Sequence, residues 1–193
     1  MLSIFFRSTV AVLSPALIND FGMTSAQLSD LSAAFFYSFA LVQIPVGMAL
    51  ARFGIRVTMG LLSLPAIGGL LLFAVGQTVD QLVVARTLLG IGMSANLMTV
   101  LVLLAAWFPV DRLGILGGTV VSIGALGSLL AATPLTYLHL SIGWRNSFFA
   151  FTVIDAAVIA AFILVARDGP QGSRPVSVRP RPLGKTLWRL LRM

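Results

Sequence analysis

Three ionisable side chains stand inside stretches of sequence that are otherwise apolar: Arg7, Arg86 and Asp155. A charge at the centre of a bilayer costs about 3 kcal/mol on insertion scales, so each must face protein or water. A guanidinium in a water-filled cavity can hold an anionic solute by charge-assisted hydrogen bonds. Arg7, in the first apolar run, is either such a cation or an arginine whose head snorkels to the interface. Arg86 begins the fourth run and either lines a cavity or is neutralised by Asp80 or Asp20. Asp155, mid-way through the sixth, is the only carboxylate set deep in an apolar run and so the one candidate for ion coupling. Its structural alternative is a neutral acid hydrogen-bonded to neighbouring helix groups. Tyr37, Gln43, Ser94 and Asn96 each either contact a solute or join two helices by a bond of about 0.6 kcal/mol.

The elements that must position these groups are read from composition. The 193 residues are 58% hydrophobic and 10% charged, with a mean hydropathy of +1.00. A soluble domain carries about 25% charged residues, so most of this surface is built for lipid. Six apolar segments run roughly over 2–18, 31–51, 57–75, 82–107, 113–138 and 147–165. They match the length of about 20 residues that a bilayer demands, and exceed the ~10 of a membrane strand. Backbone groups in lipid must be satisfied within their own segment, so each segment is expected to be a helix.

The connections are short and polar. Residues 19–30 include Thr24-Ser25-Ala26-Gln27, which has the form of a helix N-cap with its polar partner three residues on. Residues 52–56 form a tight basic hairpin, 76–80 a third loop, 108–112 a fourth with Pro109 as a stop and Asp111 as a cap, and 139–146 a fifth holding His139. Pro45 and Pro134 lie inside helices and should kink them. Gly90, Gly92, Gly114, Gly118, Gly124 and Gly127 are small enough to let helix backbones approach.

Basic residues set the orientation. The second and fourth loops and the tail hold ten Lys and Arg (Arg52, Arg56, Arg112, Arg167, Arg174, Arg179, Arg181, Lys185, Arg189, Arg192), against Arg145 alone in the other loops. Both termini are therefore expected in the cytoplasm, in an inner or plasma membrane. Trp107, Trp144 and Trp188 fall near the interfaces, as aromatic belts do. Residues 1–167 read as the bundle. Residues 168–193 read as a basic linker with Pro170, Pro175, Pro180 and Pro182, followed by a short amphipathic segment. A nucleic-acid-binding tail is the weaker reading of that positive charge. The first apolar run has no basic lead-in and carries Arg7, so no cleavable leader is expected.

Signatures of enzymes are missing from the sequence. It has no cysteine and one histidine, no Gly-x-Ser-x-Gly elbow, no His-Glu-x-x-His and no phosphate loop after Gly117-Gly118. The expectation is a non-enzyme with no metal and no cofactor.

In order along the chain, four motifs resemble the major facilitator superfamily, specifically its N-terminal six-helix half, and the resemblance covers essentially the whole chain. The family's loop Gly-x-x-x-Asp-Arg-x-Gly-x-Arg is matched by Gly47-Met48-Ala49-Leu50-Ala51-Arg52-Phe53-Gly54-Ile55-Arg56. Its helix-four pattern Arg-x-x-x-Gly-x-Gly is matched by Arg86-Thr87-Leu88-Leu89-Gly90-Ile91-Gly92. Trp107-Phe108-Pro109 at the end of helix four and Gly143-Trp144-Arg145 at the start of helix six are similar too. The resemblance implies an all-α membrane fold with six transmembrane helices, a bundle built from 3+3 inverted repeats, and alternating access with substrate near the midplane. Helices one and four would line the cavity, with Arg7, Tyr37, Gln43 and Asn96 as substrate contacts. The loop with Gly47, Ala51, Arg52, Gly54 and Arg56 would gate. Arg7 ahead of Pro15 looks like the branch that moves organic anions with a cation. The sequence departs from the pattern in three places: Ala51 replaces the loop aspartate, Met93 stands where that branch often has glutamate, and a second half is absent.

The expected function is transport of a small solute, an organic anion, as half of a secondary transporter. The other half would be a separate polypeptide or the missing part of a truncated one. Alternatively, two copies pair to form a pathway. The reading from another class is a membrane interaction protein or remnant without flux of its own. The expected partners are a small-molecule substrate, the lipid bilayer and either that second half or a homodimer mate, with no nucleic acid.

Overall fold

The computed structural model describes residues 2–165, with side chains at 9–126 and 142–165. The tail expected to be linker and amphipathic segment lies outside the described residues. So do the side chains of Arg7, Pro134 and His139. The described elements are α1 (Leu2–Phe21), α2 (Ser25–Leu41), α3 (Gln43–Val75), α4 (Val79–Met93), α5 (Ala95–Trp107), α6 (Val110–Ile142) and α7 (Trp144–Val165).

Seven helices make six spans. α2 runs into the start of α3 with only Val42 between them (φ −88°, ψ 0°). The break lies just ahead of Pro45, which has no N–H to offer the carbonyl four residues back. α4 and α5 are one rod interrupted at Ser94, and together they form an apolar stretch of 29 residues from Val79 to Trp107 with mean hydropathy 2.1. α3 is the reverse case. Its 33 residues would measure roughly 50 Å if straight, against about 30 Å of hydrocarbon. The backbone breaks at Gly54, with φ 78° and ψ 176°. That conformation is open to glycine and sterically denied to residues with a Cβ. The chain folds back there. Gly47, before the break, lies against Met98. Past the break, Gly69 lies on Leu89 and Ala66 on Gly92, an antiparallel register that brings residue 60 level with Met98. The expected hairpin is therefore present, without a non-helical stretch of five residues.

Other boundaries also moved outward. α1 and α2 are separated by residues 22–24 rather than by 19–30. Thr24 Oγ1 accepts from the Gln27 N–H at 3.3 Å and Gln27 Oε1 accepts from the Thr24 N–H at 2.9 Å, so the capping box starts α2 at Ser25. Thr78 caps α4 in the same way through the Gln81 N–H. Asp111 lies in the first turn of α6 and is not its cap. Residue 139, expected in a loop, is helical, because Gly143 (φ 81°) alone separates α6 from α7. The polar residues that suggested long loops sit instead in helix ends, where lipid headgroups and water can solvate them.

α3 packs against α4 and α7, α2 against α4, and α1 against α6. The larger core cluster gathers Leu13, Leu17, Leu31, Phe35, Leu70, Phe73, Leu82, Leu89 and Phe148 from five helices. The smaller one joins Val46, Leu50 and Ile55 around the hairpin with Ala95. Lipid is as apolar as leucine, so burial alone does not hold helices together here; close packing does.

Candidate functional site

The helix-four motif holds the most crowded of the described glycines. A Cβ on Gly90 would overlap Ser38 Oγ and the Phe35 carbonyl of α2, and one on Gly92 would overlap the Ala66 backbone of α3. Gly90 and Gly92 thus admit a helix on each side of α4. Arg86, one turn earlier, is fully buried, with its guanidinium carbon 4.9 Å from the centroid of the Phe35 ring. A cation over an aromatic face is stabilised by up to about 2 kcal/mol when desolvated. The three motif residues thus pack α4 against α2 and α3.

Asp20 does not neutralise Arg86. Its Oδ2 accepts from Trp144 Nε1 at 2.8 Å and from Arg145 Nη1 at 3.4 Å. Arg145 also donates to the Gly76 carbonyl at 3.4 Å, and its guanidinium lies 4.3 Å over Trp144 and 5.6 Å over Phe21. Phe73 meets Trp144 at 5.8 Å and stacks on Phe148 at 4.4 Å. One carboxylate thus gathers the ends of α1, α3 and α7. The Trp144-Arg145 pair was visible in the sequence, but nothing local to it signalled a partner 124 positions away.

The ion pair in this cluster is half-exposed and therefore contributes little. The indole bond matters more, because Trp144 is 4% exposed and its N–H would be left without an acceptor. Asp20→Ala is expected to destabilise by about 1–3 kcal/mol. Asp20→Asn, whose amide oxygen still accepts, should lose well under half of that. Thermal unfolding of the detergent-solubilised protein decides; equal losses in the two variants would put the stabilisation in the ion pair instead.

The remaining candidates are dispersed. Tyr37 is 77% exposed on α2. Gln43 is half-buried at the start of α3. Asn96 Nδ2 donates to Met93 Sδ at 3.3 Å, and the Ser94 hydroxyl is committed to the Ile91 carbonyl at 2.6 Å. Among the described residues no hydrogen bond or ion pair joins any two of Tyr37, Gln43 and Asn96. Asp155 is 3% exposed in α7, and its Oδ2 has no hydrogen-bond partner among the described residues. Gly60 against Ile163 and Phe73 against Phe148 set an antiparallel register between α3 and α7 that puts Asp155 level with residues 66–68. In the loop motif Arg52 is exposed beside its neighbour's ring, 5.4 Å from the Phe53 centroid. A groove of about 360 Å³ lies between α1 and α2, lined by Val10, Ala11, Ser14, Leu28, Ser29 and Ser32, none of them a sequence candidate. All three of its hydroxyls donate to carbonyls of their own helices.

The Major Facilitator Superfamily model matches residues 1–193. The chain belongs to that superfamily. It is an integral membrane protein, and the helices described above are the six spans of a major facilitator bundle. Its similarity to curated relatives is modest and spans 25–43% of their length in three cases. It is 27% identical over 164 residues to a probable sulfoacetate transporter of Cupriavidus necator, covering 85% of this chain and 38% of the relative. It is 30% identical over 158 residues to a nitrate/nitrite transporter of a Picosynechococcus species, covering 82% and 25%. A probable L-galactonate transporter of Escherichia coli is 22% identical over 203 residues, covering 96% and 43%.

Proposed function

We propose that this chain is the N-terminal six-helix half of a secondary transporter that moves a small anionic solute by alternating access. A second six-helix half would complete the pathway, and both termini of this half would face the cytoplasm. The observation that carries the reading is the cargo in the names of the three relatives above: sulfoacetate, nitrate or nitrite, and galactonate are anions. Arg7, within α1, is the residue assigned to meet that charge, with Tyr37, Gln43 and Asn96 as uncharged contacts. The buried Asp155 carboxyl is assigned to the coupling proton of a symport cycle.

The test is uptake into proteoliposomes holding this chain together with its second half. Small sulfonates and carboxylates should enter at least about tenfold faster than neutral analogues of equal size, the scale of one charge-assisted hydrogen bond of roughly 1.5 kcal/mol or more. Arg7→Ala should remove that preference. Uptake driven by an imposed proton gradient should lose its gradient dependence in Asp155→Asn. Anions and neutral solutes entering alike, or uptake unchanged in Arg7→Ala, would end the anion assignment; gradient dependence surviving Asp155→Asn would remove Asp155 from coupling.

A further inference from the structure

The two ends of the bundle differ in charge and in how that charge is held. One end carries the Gly54 turn and the Pro109 turn. The antiparallel register of α3 with α4 and α5 places these two turns side by side, since Gly54 comes level with residue 104. This end holds Arg52, Arg56 and Arg112, with Asp111 as its one carboxylate among residues 51–56 and 107–112. The opposite end holds Asp20, Asp30 and Asp80 with Arg145, and there Asp20 pairs with the arginine. Arg52 and Arg112 are exposed, and neither makes an ion pair among the described residues.

Around these cations the surface is apolar and aromatic. Phe53, Val57, Trp107, Phe108, Val110 and Ile115 are 44–80% exposed. Exposed rings and aliphatic side chains beside arginines mark the level at which hydrocarbon gives way to headgroups. Arg52 and Arg112 meet no carboxylate among the described residues, and a group of matching charge, geometry and depth is a lipid phosphate.

We propose that the paired turns form a docking surface for anionic phospholipid headgroups. Arg52 and Arg112 take the phosphates, and the acyl chains lie along Val57 and Ile115. A diester phosphate carries its charge in zwitterionic lipids too, but a choline cation beside it cancels the attraction. The site therefore discriminates by the net charge of the headgroup.

Native mass spectrometry of the full chain, released from equimolar phosphatidylglycerol and phosphatidylcholine, reads this directly and does not depend on transport. Phosphatidylglycerol should be retained in preference. The preference should fall roughly five-fold for each arginine removed in Arg52→Gln and Arg112→Gln, the scale of one basic residue near an anionic surface. Arg52→Lys/Arg112→Lys should keep most of it, which shows that a folded variant with the charges in place still binds. Equal retention of the two lipids overturns the proposal. So does a preference that persists in Arg52→Gln/Arg112→Gln, which would assign it to the basic residues after Arg167.

Discussion

Gly92→Ala is expected to lower the stability of the bundle by about 1–3 kcal/mol, the usual penalty for overpacking a tight contact. The added methyl would fall on the backbone of Ala66, with the Ala66 Cα 2.6 Å away. None of the Ala66 atoms it meets is the end of a flexible side chain, so α3 and α4 must move apart at this contact. Gly68→Ala is the control. It changes the same residue type in the same bundle, but a Cβ there meets nothing within 4 Å. Alanine also propagates a helix better than glycine by about 1 kcal/mol, so Gly68→Ala should be neutral or stabilising. Apparent melting points by fluorescence-detected gel filtration would separate the two. A Gly92→Ala protein that melts with the parent would mean that α4 and α3 are not in this contact.

Arg86 should give the other large effect, and its variants should divide fold from function. Arg86→Ala removes one of the largest fully buried side chains and its contact with the Phe35 ring. A loss of roughly 2–5 kcal/mol follows from the cavity alone, enough to empty the monodisperse peak. Arg86→Met fills most of the volume and removes the cost of desolvating a charge, so it should lose much less stability than Arg86→Ala. A cation retained at about 3 kcal/mol in an apolar helix, where methionine would be free of that cost, points to a use beyond packing. Under the transport reading, Arg86→Met is expected to fold and to lose at least about tenfold in uptake, with Arg86→Lys failing to restore it because an ammonium lacks the planar fork. Full uptake in Arg86→Met would reduce the residue to a packing group.

The three variants of Arg86 and the two of glycine test features that no single segment of sequence carries. The spans were legible because length and apolarity are properties of a segment by itself: about 20 residues without charge must satisfy their own backbone in lipid. The capping box at Thr24 was legible for the same reason, since both partners lie within four residues. Loop lengths were not, because Ser25, Gln27, Asp111 and Asn146 are polar whether they stand in a loop or in a helix end that projects into the headgroups. Gly92 and Gly68 are identical as letters, and Asp20 lies 124 positions from the tryptophan it binds. Sequence alone determined a lipid-solvated helical chain, a turn at Gly54 and the motifs of its superfamily. Tertiary structure alone decided which glycines are contacts, that Asp20 serves Trp144 and Arg145 instead of Arg86, and that the helix-four arginine is buried against Phe35. Each of those depends on which helix lies beside which, and in lipid that choice rests on shape and pairing between distant segments rather than on any segment's own hydrophobicity.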